Sequence, residues 1–233
     1  MEDIERYGDY NEIDEAPGGD KSPVAKLLKL LVLVLCFAVV GMLAFRVILF
    51  NYYPKSVKDI YFNETLSQYY DSVGDSFYAK TQSLRAPYDD PDFASFFCDN
   101  LIVIDGAGQL QVSVRYNSSI FEDIKSKYKV DIDPSSEDLF TFTLESVPRG
   151  EGEKPYTIGE LDYSHKEKAL MYPYYKLVFD GIEQTEFSEG AWIRLKITLN
   201  GVDNAKPYYV LVYENTDEYG MFSEYELKGR EKP

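Results

Sequence analysis

The feature that most constrains the fold of this chain is a long apolar stretch near its N-terminus. From Leu30 to Phe45 every residue is uncharged, and the apolar run resumes after Arg46. A membrane core of about 30 Å requires about 20 helical residues. Residues 27–50 supply that length when Lys29 and Arg46 extend their charges towards the two interfaces. The stretch predicts one transmembrane helix that contacts the lipid bilayer through residues 27–50.

Two other interpretations of the apolar stretch are less favoured. A buried helix of a soluble protein normally has a polar face, which this stretch lacks. A cleaved signal peptide has a short charged region, about 7–15 apolar residues and a cleavage site of small residues. Here more than twenty mostly polar residues precede the stretch, and no Ala-x-Ala site follows it. The pattern therefore favours an uncleaved signal anchor.

The charged residues that flank this anchor give only a weak indication of its orientation. Positively charged residues prefer the cytoplasmic side, but three flank each end of the stretch, namely Lys21, Lys26 and Lys29 before it and Arg46, Lys55 and Lys58 after it. We expect a cytoplasmic N-terminus, because two lysines lie directly against the start and a large C-terminal domain is the usual cargo of such an anchor. The expected location is a single-pass protein of the cell membrane with its C-terminal domain outside.

The anchor divides the chain into three parts. Residues 1–23 form an acidic tail with almost no apolar periodicity, so we expect a disordered cytoplasmic segment. Residues 24–53 form the transmembrane signal anchor. Residues 54–233 are enough for one extracytoplasmic domain with a sizeable core.

Charge and cysteine content narrow the functional classes. The 40 acidic and 24 basic residues give a formal net charge of −16, which repels phosphate backbones and anionic headgroups. Binding to nucleic acid or to lipid surfaces is therefore not expected. Cys36 lies inside the apolar stretch and Cys98 in the domain, so the domain folds without an internal disulfide. Animal and plant extracellular domains of this size more often carry several disulfides, which favours a bacterial envelope protein.

The C-terminal part has a strong strand pattern. Residues 101–104 and 109–116 are separated by the four residues 105–108, which is typical of a β-hairpin. In the second strand apolar and polar residues alternate, so we expect one face in the core and the other, with Gln109, Gln111, Ser113 and Arg115, in solvent. Other strands are predicted near Val57–Phe62, 77–84, 140–145, Tyr174–Phe179, 192–199, Tyr208–Tyr213 and 221–227.

The sequence also predicts how the side chains of two of these strands are placed, and it predicts two short helices. In the strand over 192–199, Ile193 and its alternate neighbours are predicted to face inward and Trp192 outward. The run Tyr208–Tyr213 is apolar on both faces, which predicts a central strand. Short helices are predicted at 64–72, with Asn63 as its N-cap, and at 120–128. The charged segment up to residue 168 shows no clear pattern.

Strands at this spacing, with turns between them and only short helices, predict a mainly β fold. We expect an antiparallel, immunoglobulin-like β-sandwich preceded by one transmembrane helix.

Five segments in the first half of the chain carry a resemblance to other proteins. The segments are 53–56, 60–62, 84–90, 96–103 and 109–117. Together they resemble a group of single-anchor membrane proteins from clostridial anaerobes. The resemblance implies a bacterial source and a cytoplasmic N-terminus, and the group brings no known activity or site.

The residues that could support catalysis or metal binding give little signal. His165 is the only histidine and lies in a polar segment without a nucleophile-elbow pattern, so a surface position is expected. Cys98 follows two phenylalanines, which predicts a buried thiol rather than a nucleophile. No catalytic residue, cofactor or metal is predicted. The weak candidates for metal ligands are Asp89, Asp90, Asp92 and Asp99.

Tyrosine is the one compositional excess, with 21 residues. A ring with a polar tip suits strands and also recognition surfaces for proteins or sugars. Most tyrosines are expected to be half-buried strand residues. The candidates for binding are those on polar faces or turns, together with the single tryptophan: Trp192, Tyr88, Tyr172 and Tyr219.

The sequence therefore favours a membrane-anchored, extracytoplasmic protein without enzymatic activity, acting in interaction or envelope assembly. Its expected partner is another envelope protein or a cell-wall polymer. A carbohydrate-active or metal-assisted hydrolase at the cell surface is the first alternative, and it requires a cleft with converging carboxylates. A ligand sensor is the second alternative.

Overall fold

The computed structural model describes residues 23–51, 55–82, 96–148, 150, 152–169, 172–188, 192–214 and 222–224. The chain forms two compact units, Met1–Asn51 and Tyr52–Pro233. The first contains helix α1, which runs from Pro23 to Asn51. Within α1, the 23 residues Lys26–Ile48 form a helix that is long and apolar enough to cross a membrane. The predicted N-terminal apolar helix is confirmed, and it is a candidate membrane anchor.

The second unit is mainly β, and the helices among its described residues are short. Its helices are α2 (Lys55–Lys58), α3 (Glu64–Val73) and α4 (Ile120–Tyr128). Single turns of 3-10 helix lie at Gly74–Ser76, Asp105–Ala107, Glu137–Leu139 and Gln184–Phe187. Its strands are β1 (Lys80–Gln82), β2 (Phe96–Ile104), β3 (Gln109–Tyr116), β4 (Phe140–Ser146), β5 (Tyr156–Thr157), β6 (Glu160–Ala169), β7 (Tyr172–Asp180), β8 (Trp192–Leu199), β9 (Tyr208–Glu214) and β10 (Ser223–Glu224).

These strands form two antiparallel sheets with the main hydrophobic core between them. One sheet has the order β10-β1-β2-β3-β7-β6, and the other has the order β5-β4-β8-β9. Aromatic rings contact each other across the core. The ring centroids of Phe96 and Phe140 are 5.3 Å apart, and those of Phe142 and Tyr175 are 4.8 Å apart. The predicted antiparallel β-sandwich with short helices is confirmed.

Local sequence patterns account for several of these elements. Strands β2 and β3 form the predicted hairpin around residues 105–108. Helix α3 begins after Asn63, whose side chain accepts a hydrogen bond from the backbone N–H of Leu66 at 3.0 Å. In β8 the residues alternate between buried and half-buried, with Ile193 in the core and Trp192 on the outside. These predictions are confirmed.

Two strand predictions are wrong. Val57–Phe62 does not form a strand, because its first residues belong to α2 and the remainder pairs with no described strand. Strand β9 is not central, since it lies at the edge of the four-stranded sheet among the described strands. The apolar residues on its outer side, such as Leu211, are only half-buried. An apolar run on both faces therefore does not by itself place a strand inside a sheet.

The predicted solvent face of β3 is also wrong, because all eight residues of this strand are buried. Residues 55–79, which we call the covering segment, pack over the side of the six-stranded sheet that faces away from the core. A second apolar cluster joins them to the sheet through Ile60, Leu66, Ile102 and Ile104. The polar side chains of β3 thus face a second layer of protein rather than water.

These buried polar side chains bond to the backbone of the covering segment. The Gln111 amide donates to the Tyr61 carbonyl oxygen at 2.7 Å and accepts from the Tyr61 N–H at 2.8 Å. The Ser113 hydroxyl donates to the carbonyl oxygen of Val57 at 2.9 Å. Gln109 instead bonds to side chains, donating to Asp180 of β7 at 2.7 Å and to Asn63 of the covering segment at 3.0 Å. The bonds of Gln111 and Ser113 satisfy part of the backbone of a segment that pairs with no described strand.

We predict that Gln111→Ala destabilises the domain by about 2–4 kcal/mol. The substitution removes both partners of Tyr61, and each buried group left without a partner costs about 1–3 kcal/mol. Urea unfolding of the full-length protein in detergent, followed by tryptophan fluorescence, measures the change. Gln68→Ala is the matched control, because Gln68 is exposed on α3 and its amide donates to the exposed Glu64. Equal stability of the two variants would contradict the prediction.

Candidate functional site

The structure places the two predicted binding residues that it describes on different sheets. Trp192 begins β8 in the four-stranded sheet, and Tyr172 begins β7 in the six-stranded sheet. Tyr88 and Tyr219 lie outside the described residues. Trp192 and Tyr172 therefore belong to different surfaces.

Tyr172 has a packing role beside a buried ion pair. The guanidinium carbon of Arg115 lies 4.9 Å from the centroid of the Tyr172 ring and 5.3 Å from that of Phe97. Arg115 Nε lies 3.3 Å from Asp99 Oδ2, and both side chains are almost completely buried. Such a pair between aromatic rings holds a buried arginine in place.

Asp99 occupies this pair because of a β-bulge. The register of β2 against β3 shifts between Cys98 and Asn100, so Asp99 is the extra residue of the bulge. Its carboxylate is committed to Arg115 and is not part of an acidic loop. The other three candidate metal ligands, Asp89, Asp90 and Asp92, lie outside the described residues. Within the described residues no group of three or more His, Cys, Asp or Glu side chains could hold a metal ion.

Cys98 and His165 lie where the sequence predicted. Cys98 is 1% exposed within the core, and burial raises the pKa of its thiol far above the usual range. A thiol of this kind is a poor nucleophile. His165 is exposed on β6.

The outer face of the four-stranded sheet carries Trp192 and a small charged cluster. Arg194 donates twice to Glu145 Oε2, from Nε at 2.9 Å and from Nη2 at 2.7 Å. Lys196 Nζ lies 3.3 Å from the other oxygen of this carboxylate. The guanidinium carbon of Arg194 lies 4.0 Å from the centroid of the Tyr209 ring. A half-exposed arginine is thus fixed on a tyrosine ring, on the same strand as the half-exposed Trp192.

A cavity of about 200 Å³ lies between the covering segment and the edge strand β6. Its lining comes from both sides and from β7: Ser56, Asp59, Ile60, Tyr61, Tyr163, His165 and Lys176. The rings of Tyr61 and Tyr163 stack with centroids 3.9 Å apart, which joins the covering segment to β6. Ser56 donates a hydrogen bond to Glu167 beside the cavity.

Lys176 is the most unusual residue of this cavity. It lies on β7, is 6% exposed, and is opposite His165 in the register with β6. Its Nζ donates to the Val57 carbonyl oxygen at 3.4 Å, an oxygen that also accepts from Asn100 at 3.3 Å. Burial lowers the pKa of Lys176 to about 7, although the nearby Asp59 carboxylate raises it. The amine is therefore partly neutral at neutral pH.

Sequence reasoning missed Lys176, although a signal was present. The lysine interrupts a strand of aromatic and apolar residues, with Tyr175 and Leu177 beside it and Tyr174 and Val178 two residues away. A lysine at such a position is flanked by apolar residues on both faces of the strand. Charged side chains are rarely buried in this way without a purpose.

Comparisons with known proteins found no similar protein. No protein-family model, no curated protein and no solved structure matches this chain. The two described features that bear on function are the outer face of the four-stranded sheet and the cavity around Lys176.

We predict that Lys176 makes the stability of the domain rise with pH between about 7 and 9. In the folded protein its pKa is about 7, below the value of 10.5 for a free lysine, so folding in this range releases a proton. Below pH 7 the lysine is charged in both the folded and the unfolded protein, so its contribution to the free energy of unfolding does not change with pH. Urea midpoints measured from pH 6 to 9 should rise for the wild type and change less for Lys176→Met. Lys125→Met is the control, since Lys125 is exposed, and it should keep the wild-type slope.

Proposed function

We propose that this protein is a membrane-anchored, non-enzymatic binding module with its β-sandwich outside the cell membrane. The single observation that carries the binding role is the outer face of the four-stranded sheet. There, Arg194 is fixed on Tyr209 beside Trp192, on a sheet surface rather than in a cleft. A residue set of this kind is suited to recognition, and it holds no nucleophile with an adjacent base.

The membrane attachment is supported by α1. Its large apolar side chains are exposed within their own unit, and lipid is the medium in which such a surface is stable. The cytoplasmic location of the N-terminus is supported by Lys26 and Lys29 next to the apolar run and by the size of the C-terminal domain. The resemblance to clostridial single-anchor proteins favours the same orientation and a bacterial envelope.

The expected partner is another envelope protein. Tryptophan, tyrosine and arginine are the residues that most often dominate the binding energy of protein interfaces. The outer face presents one of each, and Glu145 holds the arginine in a fixed position. A chain with a net charge of −16 repels acidic cell-wall polymers, which makes such polymers the less favoured partner.

The two alternative functions differ in what supports them. A hydrolase acting on sugars needs two converging carboxylates. Asp59 lines the described cavity, whereas Glu167 lies beside it and accepts a hydrogen bond from Ser56. A small-ligand sensor is favoured by the cavity itself, because it holds the buried Lys176.

We predict that a photo-crosslinking amino acid placed at Thr143, on the outer face, captures one discrete envelope protein in intact cells. Arg194→Glu combined with Tyr209→Ala should abolish the crosslink, because it removes the fixed charge and the ring. Position 68 on α3 is the control, since it is exposed and belongs to the covering segment. Equal capture from both positions, or capture unaffected by the two substitutions, would contradict the proposal.

We predict that the C-terminal domain is accessible to reagents added outside the cell. In a variant with Cys36→Ser and Cys98→Ala, a cysteine introduced by Gln68→Cys should react with a membrane-impermeant maleimide in intact cells. Gln68 is exposed, whereas the native Cys98 is buried and unreactive while the domain is folded. A cysteine introduced by Asn11→Cys should react only after lysis. The reverse labelling pattern would show that the domain is cytoplasmic.

A further inference from the structure

The cavity around Lys176 combines a buried amine with side chains that can carry protons. Tyr163 and His165 line it from β6, and Tyr61 lines it from the covering segment. We propose that this cavity captures a small aldehyde or ketone as a reversible imine on Lys176 Nζ. The site lies on the six-stranded sheet, so the proposal is independent of the partner of the outer face.

The amine has the properties that this reaction requires. Only a neutral amine has a lone pair to attack a carbonyl carbon, and burial is a general way to keep a lysine neutral. Because the pKa of Lys176 is lowered to about 7, roughly half of the amine is neutral at pH 7. Its bond to the Val57 carbonyl oxygen uses one N–H, which the neutral amine retains.

The groups that face Lys176 favour a neutral carbonyl compound over an anion. Asp59 faces it from the covering segment, and its carboxylate raises the pKa of the lysine. Glu167, which accepts a hydrogen bond from Ser56, adds a second carboxylate beside the same cavity. A carboxylate or phosphate ligand would be repelled by both acidic groups. An aldehyde or ketone carries no charge and avoids this repulsion.

The reaction needs no further reagent. The amine attacks the carbonyl carbon, a C–N bond forms, and the carbonyl oxygen takes up a proton to give a carbinolamine. The C–O bond then breaks, and the oxygen leaves as water with the two hydrogens that the amine has lost. The exposed imidazole of His165 can carry the proton between nitrogen, oxygen and solvent. Water hydrolyses the imine by the reverse path.

The cavity limits the size of the compound. A volume of about 200 Å³ corresponds to that of six or seven liquid water molecules, at about 30 Å³ each. Ile60 and the stacked rings of Tyr61 and Tyr163 provide apolar surface. A short aliphatic aldehyde fits these dimensions and contacts.

The test uses the full-length protein in detergent with propanal and sodium cyanoborohydride, which reduces an imine to a stable secondary amine. Peptide mass spectrometry then gives the rate of modification at each lysine. At pH 7 we expect Lys176 to react at least about tenfold faster than Lys125, whose pKa is raised by its bond to Asp131. The rate at Lys176 should level off above pH 8, while the rate at Lys125 continues to rise.

Two variants separate the cavity from the lysine. Lys176→Arg should lose the adduct on this peptide and keep the modification of Lys125. Ser56→Phe narrows the cavity and should slow the reaction at Lys176 by about tenfold, with no change at Lys125. The proposal is overturned if Lys176 in the folded wild type is modified no faster than Lys125. Modification that follows the same pH dependence as Lys125, or that appears only after urea unfolding, overturns it as well.

Discussion

The domain depends on hydrogen bonds that join buried polar side chains of the six-stranded sheet to the covering segment. Gln111 bonds to both the N–H and the carbonyl oxygen of Tyr61, so its side chain acts as a short piece of strand. Ser113, Asn100 and Lys176 all donate to the Val57 carbonyl oxygen. Because these bonds are specific in position, they fix the covering segment in one register on the sheet, which apolar contacts alone do less well.

The same arrangement explains why the two candidate sites differ in character. The outer face of the four-stranded sheet carries a half-exposed arginine, whose planar guanidinium suits recognition of a partner. On the six-stranded sheet the positive charge is a buried lysine, and burial removes the water that would stabilise its ammonium form. Exposure therefore leaves Arg194 available for the proposed contact, while burial favours the neutral amine that the proposed imine requires.

The sequence predicted those features of the fold and the site that depend on near neighbours. The β2–β3 hairpin, the cap of Asn63 on α3 and the inward side of β8 follow from residues within a few positions of each other. Trp192 was correctly placed on an outer face for the same reason. Its neighbours Arg194 and Tyr209 were not predicted to stack on each other, because they lie on different strands and meet only through the sheet register.

By itself, the sequence determined that the chain has one apolar helix of membrane length and a set of alternating strands, since both are properties of hydrophobic periodicity. Only the tertiary structure decided which polar residues are buried. Alternation along β3 shows that its two faces differ, but it does not show what covers the polar one. The polar face is covered by the segment that contains Tyr61, which lies 50 residues before Gln111 in the sequence. A pattern of neighbouring residues cannot reveal a contact over that separation. The burial of Lys176, and with it the proposed site, follows from the same covering segment, whose Val57 lies 119 residues before the lysine.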